Sequence, residues 1–318
     1  MVIELVRLEE AHLEDAAALV TRRYGDLRQQ VGFLPCRYAE VDTILPLLRA
    51  VAGAAPGVVA THGGRLVGFL SGWLLPSFRG RPTVFSPEWA NGAEPRHSRR
   101  IYEEMYSHVA GSWAAEGYLT HMVSLLANDR DAVEGWQWLG FGMVAADALR
   151  PVEPVSGDEA GVEVGRARLV DVEEVMALDR ALCRHMAAAP VFLADREEPE
   201  RGTYEDWLSD AEKAAWLAYR DGEAVAYLGM GLASDDASTI IYDEGTTSVF
   251  GAFTREDVRG GGIGTALLDR GLRWAREQGY ERCAVDFEPM NPPAARFWLR
   301  HFEPVCYTVM RYVDERAG

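Results

Sequence analysis

Lysine is almost missing. Lys213 is the only one in 318 residues, and arginine supplies the rest of the 32 basic side chains. A mechanism through a lysine Schiff base would therefore have a single candidate, set in a polar, helical-looking stretch. Cysteine is scarce as well. Cys36, Cys183, Cys283 and Cys306 lie far apart, with no Cys-x-x-Cys pair and no Cys/His group at zinc spacing. Reduced, mostly buried thiols are expected, and no metal. The histidines (His12, His62, His97, His108, His121, His185 and His301) are scattered, with none at metal or triad spacing. No apolar run approaches the roughly 18–20 residues of a membrane span. The opening MVIELVRLEE has no basic stretch followed by an apolar core, the mark of a secretory signal. A cytoplasmic protein is the expectation. Positive charge is in deficit: the formal net charge is −17. Nucleic acid and anionic membrane would both be repelled, so neither is expected as a partner. A cationic small substrate is compatible with that charge.

What is present is ordinary globular composition, 48% apolar and 25% charged. At 318 residues the chain favours two domains over one, each able to bury a core without staples. The stretch RPVEPVSGDEAG, from Arg150, carries Pro, Gly and acidic residues without apolar periodicity and reads as a linker over 151–161. The two sides can be superposed. RLEEAHLEDAAAL from Arg7 answers RLVDVEEVMALDRAL from Arg168, and GGRLVGFLSG from Gly63 answers DGEAVAYLGMG from Asp221. WAAEGY from Trp113 answers WAREQGY from Trp274, and WQWLGF from Trp136 answers FWLRHF from Phe297. The four spacings stay within 158–162 residues, which argues for two diverged copies of one fold, 1–150 and 162–318.

Each copy reads as a short strand, an amphipathic helix, an irregular helix-rich stretch and a hairpin turning at Gly63–Gly64 or Asp221–Gly222. In the second copy a strand from Thr246, a helix from Gly264, a strand from Glu281, a short helix from Ala294 and a closing strand from Val305 follow. The whole predicts a mixed α/β sheet flanked by helices.

The most informative segment is Val258-Arg259-Gly260-Gly261-Gly262-Ile263-Gly264-Thr265, between a strand and a helix. Its glycines let the backbone approach a ligand closely. The helix that follows aims its unpaired N–H groups at the same spot, which suits phosphate or pyrophosphate. A Walker loop would need Gly-Lys-Ser/Thr, and no lysine is here. A dinucleotide loop would use Asp286 as its acidic partner. Against it, Thr265 stands at the last glycine position and only about 30 residues follow Asp286, too few for the rest of a doubly wound sheet.

Arg259-x-x-Gly262-x-Gly264 resembles the Q/R-x-x-G-x-G/A loop of the GNAT acetyltransferase superfamily. Asn291-x-x-Ala294-x-x-Phe297-Trp298 resembles that family's N-x-x-A-x-x-F-Y segment. The resemblance covers the second half, and the order of elements extends it to the first. It implies two tandem GNAT-like domains, each a mixed, mostly antiparallel sheet flanked by helices, using acetyl-CoA as co-substrate and no metal. Backbone N–H groups from Val258 and Arg259 through Gly260, Gly261, Gly262, Ile263 and Gly264 to Thr265 would hold the pyrophosphate. Ala252, Phe253 and Thr254 would pair with the pantetheine arm, with an amide near Ala252 polarising the thioester carbonyl. Asn291 would bond the pantetheine or its sulfur end. The implied reaction is direct attack by an amine on the thioester, aided by a general base.

Two positions depart from the pattern. Trp298 stands where the family often has a tyrosine acid, and indole only packs or donates one N–H bond; Tyr307 on the closing strand is the substitute considered. The central strand carries Thr247 around the place where some members have a basic glutamate. Asp243, Glu244, Asp286 and Glu288 are then the candidate bases, acting through water.

In the first copy the glycine loop falls on Ser98–Glu103, which has no glycine. Arg96, His97, Arg99 and Arg100 read as a solvated helix start, and Trp136, Trp138 and Phe141 as core. The first copy is expected to be a degenerate domain that packs on the active one and shapes its acceptor cleft. The expectations are a small-molecule amine acceptor and a monomer by internal pseudo-dimerism, or a homodimer. A mycothiol-synthase-like enzyme and a noncatalytic acyl-CoA sensor are the alternatives.

Overall fold

A computed structural model describes residues 2–155, 161–194, 199–232 and 237–317. Part of the expected linker, 156–160, lies outside the described residues. In chain order the elements are β1 (Glu4–Arg7), α1 (Leu13–Gln30), α2 (Val41–Val51), β2 (Val58–His62), β3 (Arg65–Leu70), β4 (Trp73–Phe78), β5 (Arg81–Ser86), β6 (Asn91–Ala93), α3 (Ser98–Ala115), β7 (Thr120–Leu126), α4 (Arg130–Trp138) and β8 (Gly142–Pro151). There follow β9 (Glu163–Arg166), α5 (Val172–Ala187), α6 (Arg201–Ser209), β10 (Ala214–Arg220), β11 (Glu223–Gly231), β12 (Thr246–Thr254), α7 (Ile263–Glu277), β13 (Arg282–Phe287), α8 (Pro292–His301) and β14 (Glu303–Tyr312). The class is mixed α/β with mostly antiparallel strands.

By compactness one unit gathers Met1–Asp147, Ser238–Ile240 and Glu303–Gly318, and the other Ala148–Ala237 and Ile241–Phe302. The closing strand expected in the second copy is thus grouped with the first unit. There β14 pairs antiparallel with β7, from Cys306 opposite Leu126 to Tyr312 opposite Thr120. Ser124 and Thr308 share a hydroxyl hydrogen bond of 2.7 Å across this pair. A strand's own pattern encodes its faces and not its partner, so this exchange left no local trace.

In the first unit β1, β2, β3 and β6 form one antiparallel array. β4 pairs with β5 antiparallel, and β5 runs parallel to β7. The hairpin of β2 and β3 turns at Gly63 and Gly64, both at positive φ (57° and 76°), as a tight two-residue turn requires. Trp136 and Phe141 are buried with Trp113 and Tyr106 in the core, as expected. Trp138 is not: it is 72% exposed, beneath the Arg99 guanidinium at 5.4 Å. Trp136 and Trp138 are two residues apart on a helix and face different sides. Two buried carboxylates hold the inserted Ser238–Ile240. Asp147 accepts the Ser238 N–H at 2.9 Å and its hydroxyl at 2.7 Å, and Glu88 accepts the Ile240 N–H at 3.0 Å.

In the second unit β9, β10, β11 and β12 run antiparallel and β13 joins parallel to β12. The helix α5 buries Val172, Val175, Met176, Asp179, Leu182, Cys183 and Met186, an i, i+3, i+4, i+7 stripe. Alternation along β11 turns Leu228 and Met230 to one face and Tyr227 to the other. α7 packs on the first of these faces, where a Cβ on Gly271 would stand 2.4 Å from Met230 Sδ, so only glycine allows the approach. α5 packs on the second, where Tyr227 belongs to the core that it forms with Val175 and Leu178.

Candidate active site

β12 carries two irregularities. Its pairing with β11 shifts register between Gly229 opposite Gly251 and Met230 opposite Val249, so Phe250 is an extra residue. On its other edge the parallel ladder with β13 runs from Thr246 opposite Arg282 to Val249 opposite Val285 and stops, while β12 continues to Thr254. The edge from Phe250 to Thr254 therefore has no ladder partner on β13. Such an edge can take an extended amide-bearing ligand as an added strand. Ala252, Phe253 and Thr254, the residues expected to hold the pantetheine arm, are on it.

The chain then turns through a short 3-10 segment, Glu256–Val258, into the glycine loop. Gly260 and Gly262 both have φ of 83°, a conformation that side chains disfavour, and Gly262 caps α7. The Ala266 N–H donates to the Gly262 carbonyl at 3.0 Å as the first bond of α7. The N–H groups of Ile263, Gly264 and Thr265 come before that bond and make up the positive end of the helix. The Ile263 side chain is buried in the core beneath. A Cβ on Gly261 would meet nothing nearer than Arg220 Nη2 at 3.7 Å. Arg220 thus brings a cation to the loop that sequence reasoning missed. Gly264 faces α8 instead. A Cβ there would stand 3.2 Å from the Phe297 ring, so this glycine lets α8 pack on α7. The Arg259 side chain folds back, donating from Nε to the Thr254 carbonyl at 2.9 Å and lying over the Phe253 ring at 5.6 Å. It ties the loop to the end of β12, which leaves ligand binding to the loop's backbone. Thr265 Oγ1 lies 3.4 Å from His301 Nε2. These residues fit a pyrophosphate: two positive-φ glycines, an uncovered Gly261, a helix start and a nearby guanidinium.

Asn291 stands at the start of α8 and is 6% exposed. Its Oδ1 is 3.3 Å from His185 Nε2, and its Nδ2 is 3.6 Å from Met186 Sδ. The amide is engaged with α5. His185 in turn reaches Glu256 at 3.4 Å through Nδ1, linking α5, the turn before the loop and α8. Trp298 is buried edge-on against Phe297 and Phe302, with centroids 4.8 and 5.5 Å away. It packs, as an indole should.

The candidate carboxylates are dispersed. Asp243 accepts the Gly245 N–H and pairs with Arg282 at 3.3 Å. Glu244 is exposed and precedes β12, so at about 3.3 Å per residue roughly 16 Å of strand, from Thr246 on, separates it from Gly251. Thr247 donates its hydroxyl to the Gly231 carbonyl at 2.8 Å. Asp286 is exposed, on β13 beyond the last ladder pair, and Glu288 is half-buried just past the end of that strand. Tyr307 sits on β14 opposite Leu125 in the first unit. There burial raises its phenol pKa above the usual range, and the tyrosine lines a cavity of about 650 Å³ with Leu27, Arg130 and Val133. The structure groups the loop, Ala252–Thr254, Asn291 and Trp298 in one unit, and Tyr307 in the other.

A buried polar group on the α5 side went unread. Asp179 accepts the Tyr227 hydroxyl at 2.6 Å and the Tyr204 hydroxyl at 2.7 Å. The Tyr227 oxygen stands 2.9 Å from where a Cβ on Gly251 would be. The available signal was a carboxylate inside the apolar stripe of α5, a position that burial disfavours without partners.

The first unit's corresponding region is filled by its own side chains. Ser98–Glu103 is the first part of α3 and no loop. Ser98 donates to Asp129 Oδ1 at 2.8 Å, and Arg23 pairs with Asp129 Oδ2 at 2.8 Å, both carriers of that pair about nine-tenths buried. Asn91 on β6 donates to the Ser124 carbonyl on β7 at 3.0 Å and accepts from Tyr102 at 2.8 Å. About 20 Å³ of space remains between them. Arg99 and Arg100 pair with Glu103, Glu134 and Glu104.

The site thus consists of an opened strand edge that runs through a glycine turn into a helix start. Residues 180–302 match the model of the acetyltransferase (GNAT) family. A GCN5-related N-acetyltransferase from Sphaerobacter thermophilus superposes with a TM-score of 0.54 at 14% identity, over 98% of this chain and 95% of that one. A GCN5-related glucosamine N-acetyltransferase region in a fungal GH3 β-N-acetylglucosaminidase gives 0.51 at 14%, over 97% of this chain; the chain spans 38% of that protein. A tandem GNAT protein from the clavulanic acid biosynthesis pathway gives 0.47 at 16% identity, with 100% and 99% coverage. No curated protein matches. At these identities the likeness is one of fold. Among the described residues no helix is long and apolar enough to cross a membrane, and no group of three or more His, Cys, Asp or Glu could hold a metal.

Proposed function

We propose that the second unit moves an acetyl group from acetyl-CoA to the amine of a small molecule by direct attack in a ternary complex. The observation that carries this reading is the opened edge of β12 leading directly into the Gly260–Gly262 turn at the head of α7. The edge offers backbone groups to the pantetheine amides, and the turn offers N–H groups to the pyrophosphate. Bound this way, the thioester would sit by Ala252, whose N–H would stabilise charge on the carbonyl oxygen. The first unit, its cleft filled, binds no acetyl-CoA in this reading.

Calorimetric titration with acetyl-CoA should give one site per chain, and a panel of small amines should then release thiol. Two sites would overturn the asymmetric assignment. One site with no thiol released from any amine would favour a noncatalytic acyl-CoA sensor. No binding would remove the reading altogether.

A further inference from the structure

We infer that Tyr227 is the proton carrier of the acetyl-transfer site, with Asp179 as its positioning residue. The inference rests on the acetyl-transfer reading above. Its starting point is a gap: the β12 positions at the head of the opened edge hold no acid or base. Thr247 is tied to the Gly231 carbonyl, Ser248 is a hydroxyl, and the next residues are Val249, Phe250, Gly251 and Ala252. Trp298 cannot supply a proton near neutral pH.

Tyr227 fills that gap from the neighbouring strand. Its oxygen lies within 2.9 Å of the Cβ position of Gly251, one residue before Ala252, where the ladder with β13 has ended. Gly251 is the reason it reaches there, since a methyl group at that position would collide with the phenol. Asp179 holds the hydroxyl at 2.6 Å, and Tyr204 occupies the other carboxylate oxygen at 2.7 Å. The phenol proton is therefore already aimed at a base.

The step balances without another reactant. The amine nitrogen attacks the thioester carbonyl carbon and the C–N bond forms. One N–H proton passes to the Tyr227 oxygen as that oxygen's own proton moves to Asp179 Oδ1. The C–S bond then breaks, Tyr227 gives a proton to the departing sulfur, and Asp179 returns its proton to Tyr227. Amine and thioester become amide and thiol, and the pair is restored.

Tyr227→Phe, Asp179→Asn and Gly251→Ala should each be assayed for acetyl-CoA affinity by calorimetry and for thiol release under saturating amine. Tyr227→Phe is expected to lower kcat about 100-fold, in the range of general acid–base catalysis, with acetyl-CoA affinity within twofold of the parent. Gly251→Ala should lower kcat by displacing the phenol. Asp179→Asn should lower kcat while leaving both KM values unchanged, a split that a merely structural carboxylate would not produce. A Tyr227→Phe enzyme that keeps kcat within threefold would overturn the inference while the acetyl-transfer reading stands. A parent protein that binds acetyl-CoA but acetylates no amine would overturn that reading, and this inference with it.

Discussion

The two units begin from matching sequence and end with opposite clefts. In the second, β12 parts from β13 after Val249, and the chain turns through glycines into α7. In the first, Asn91 ties β6 to the Ser124 carbonyl of β7, while Arg23 and Ser98 close on Asp129. The position of Asp129 in the first copy answers that of Asn291 in the second. One is an ion-paired plug and the other an amide held by α5. A ligand cleft is a cost to a fold, because it leaves strand edges and polar groups without internal partners. A copy relieved of binding can recover that stability by filling the space with its own polar side chains. In the first unit about 20 Å³ is left between Arg23, Asn91, Tyr102 and Asp129.

The sharpest way to break this comparison is to pull the plug. Asp129→Ala leaves the Arg23 guanidinium buried, with Asp26 at 3.3 Å as its one remaining carboxylate among the described residues. Loss of one partner of a buried pair costs about 3–5 kcal/mol. Urea unfolding should show a loss of that size, with acetyl-CoA stoichiometry still one if the chain stays folded. A second acetyl-CoA site appearing in this variant would mean that the plug alone silences the first unit. Next in size is Gly262→Val. Valine must adopt φ near 83° at the head of α7 and stand where a phosphate would approach. Acetyl-CoA affinity should fall more than 100-fold by calorimetry, about 3 kcal/mol. Unchanged affinity would remove the loop from the binding site.

How much of this contrast was legible follows from the range of each signal. The glycine loop, the hairpin turns at Gly63–Gly64 and Asp221–Gly222, and the absence of glycine in Ser98–Glu103 are local facts of backbone conformation. They could be read in place, and the structure agrees with them. The Trp136–Phe141 core was legible by pattern, whereas Trp138 was assigned by proximity in sequence and points outward. The pairing of β14 with β7 joins residues more than 180 positions apart, as between Ser124 and Thr308. Nothing within either strand encodes it. The same holds for Asp179, whose partners come from α6 and β11. Its placement on an apolar helix face said that partners must exist without saying which. Glycines in β11 and β12 could be seen, but that Gly251 makes room for Tyr227 depends on the register of the two strands.

The filled unit also carries a buried carboxyl whose titration is shifted. Glu88 is fully enclosed, and burial pushes its carboxyl up to about 7, with the charge on Asp147 adding to the rise against the lowering effect of backbone N–H bonds. A carboxyl raised from 4.5 holds its proton in the folded chain after the unfolded chain has lost it. Its favourable contribution is complete below about pH 4.5 and disappears as pH rises to about 7. The size is about 3 kcal/mol across that window. Glu88→Gln keeps an oxygen for the Ile240 N–H and removes the titration. The difference in unfolding free energy between pH 5 and pH 8 should shrink by up to that amount relative to the parent. An identical pH dependence in both proteins would show that Glu88 does not titrate in this range.

The smallest test sharpens the open side. Arg220 ends β10 with Nη2 3.7 Å from the Cβ position of Gly261, the residue between the two positive-φ glycines. The corresponding part of the first unit is the start of α3, where Arg99 and Arg100 are paired with glutamates and offer no equivalent cation. A half-exposed guanidinium beside a doubly charged pyrophosphate adds about 1 kcal/mol, and the addition weakens with salt. Arg220→Gln should therefore raise the acetyl-CoA dissociation constant roughly fivefold at low ionic strength and less than twofold at about 0.5 M salt. The salt dependence is the discriminating part. If Arg220 only supported the fold of the loop, the loss would persist at high salt. If it meets the phosphates as a charge, the loss should fade as the ions screen it. The Gly262→Val defect is steric and should stay the same at either ionic strength.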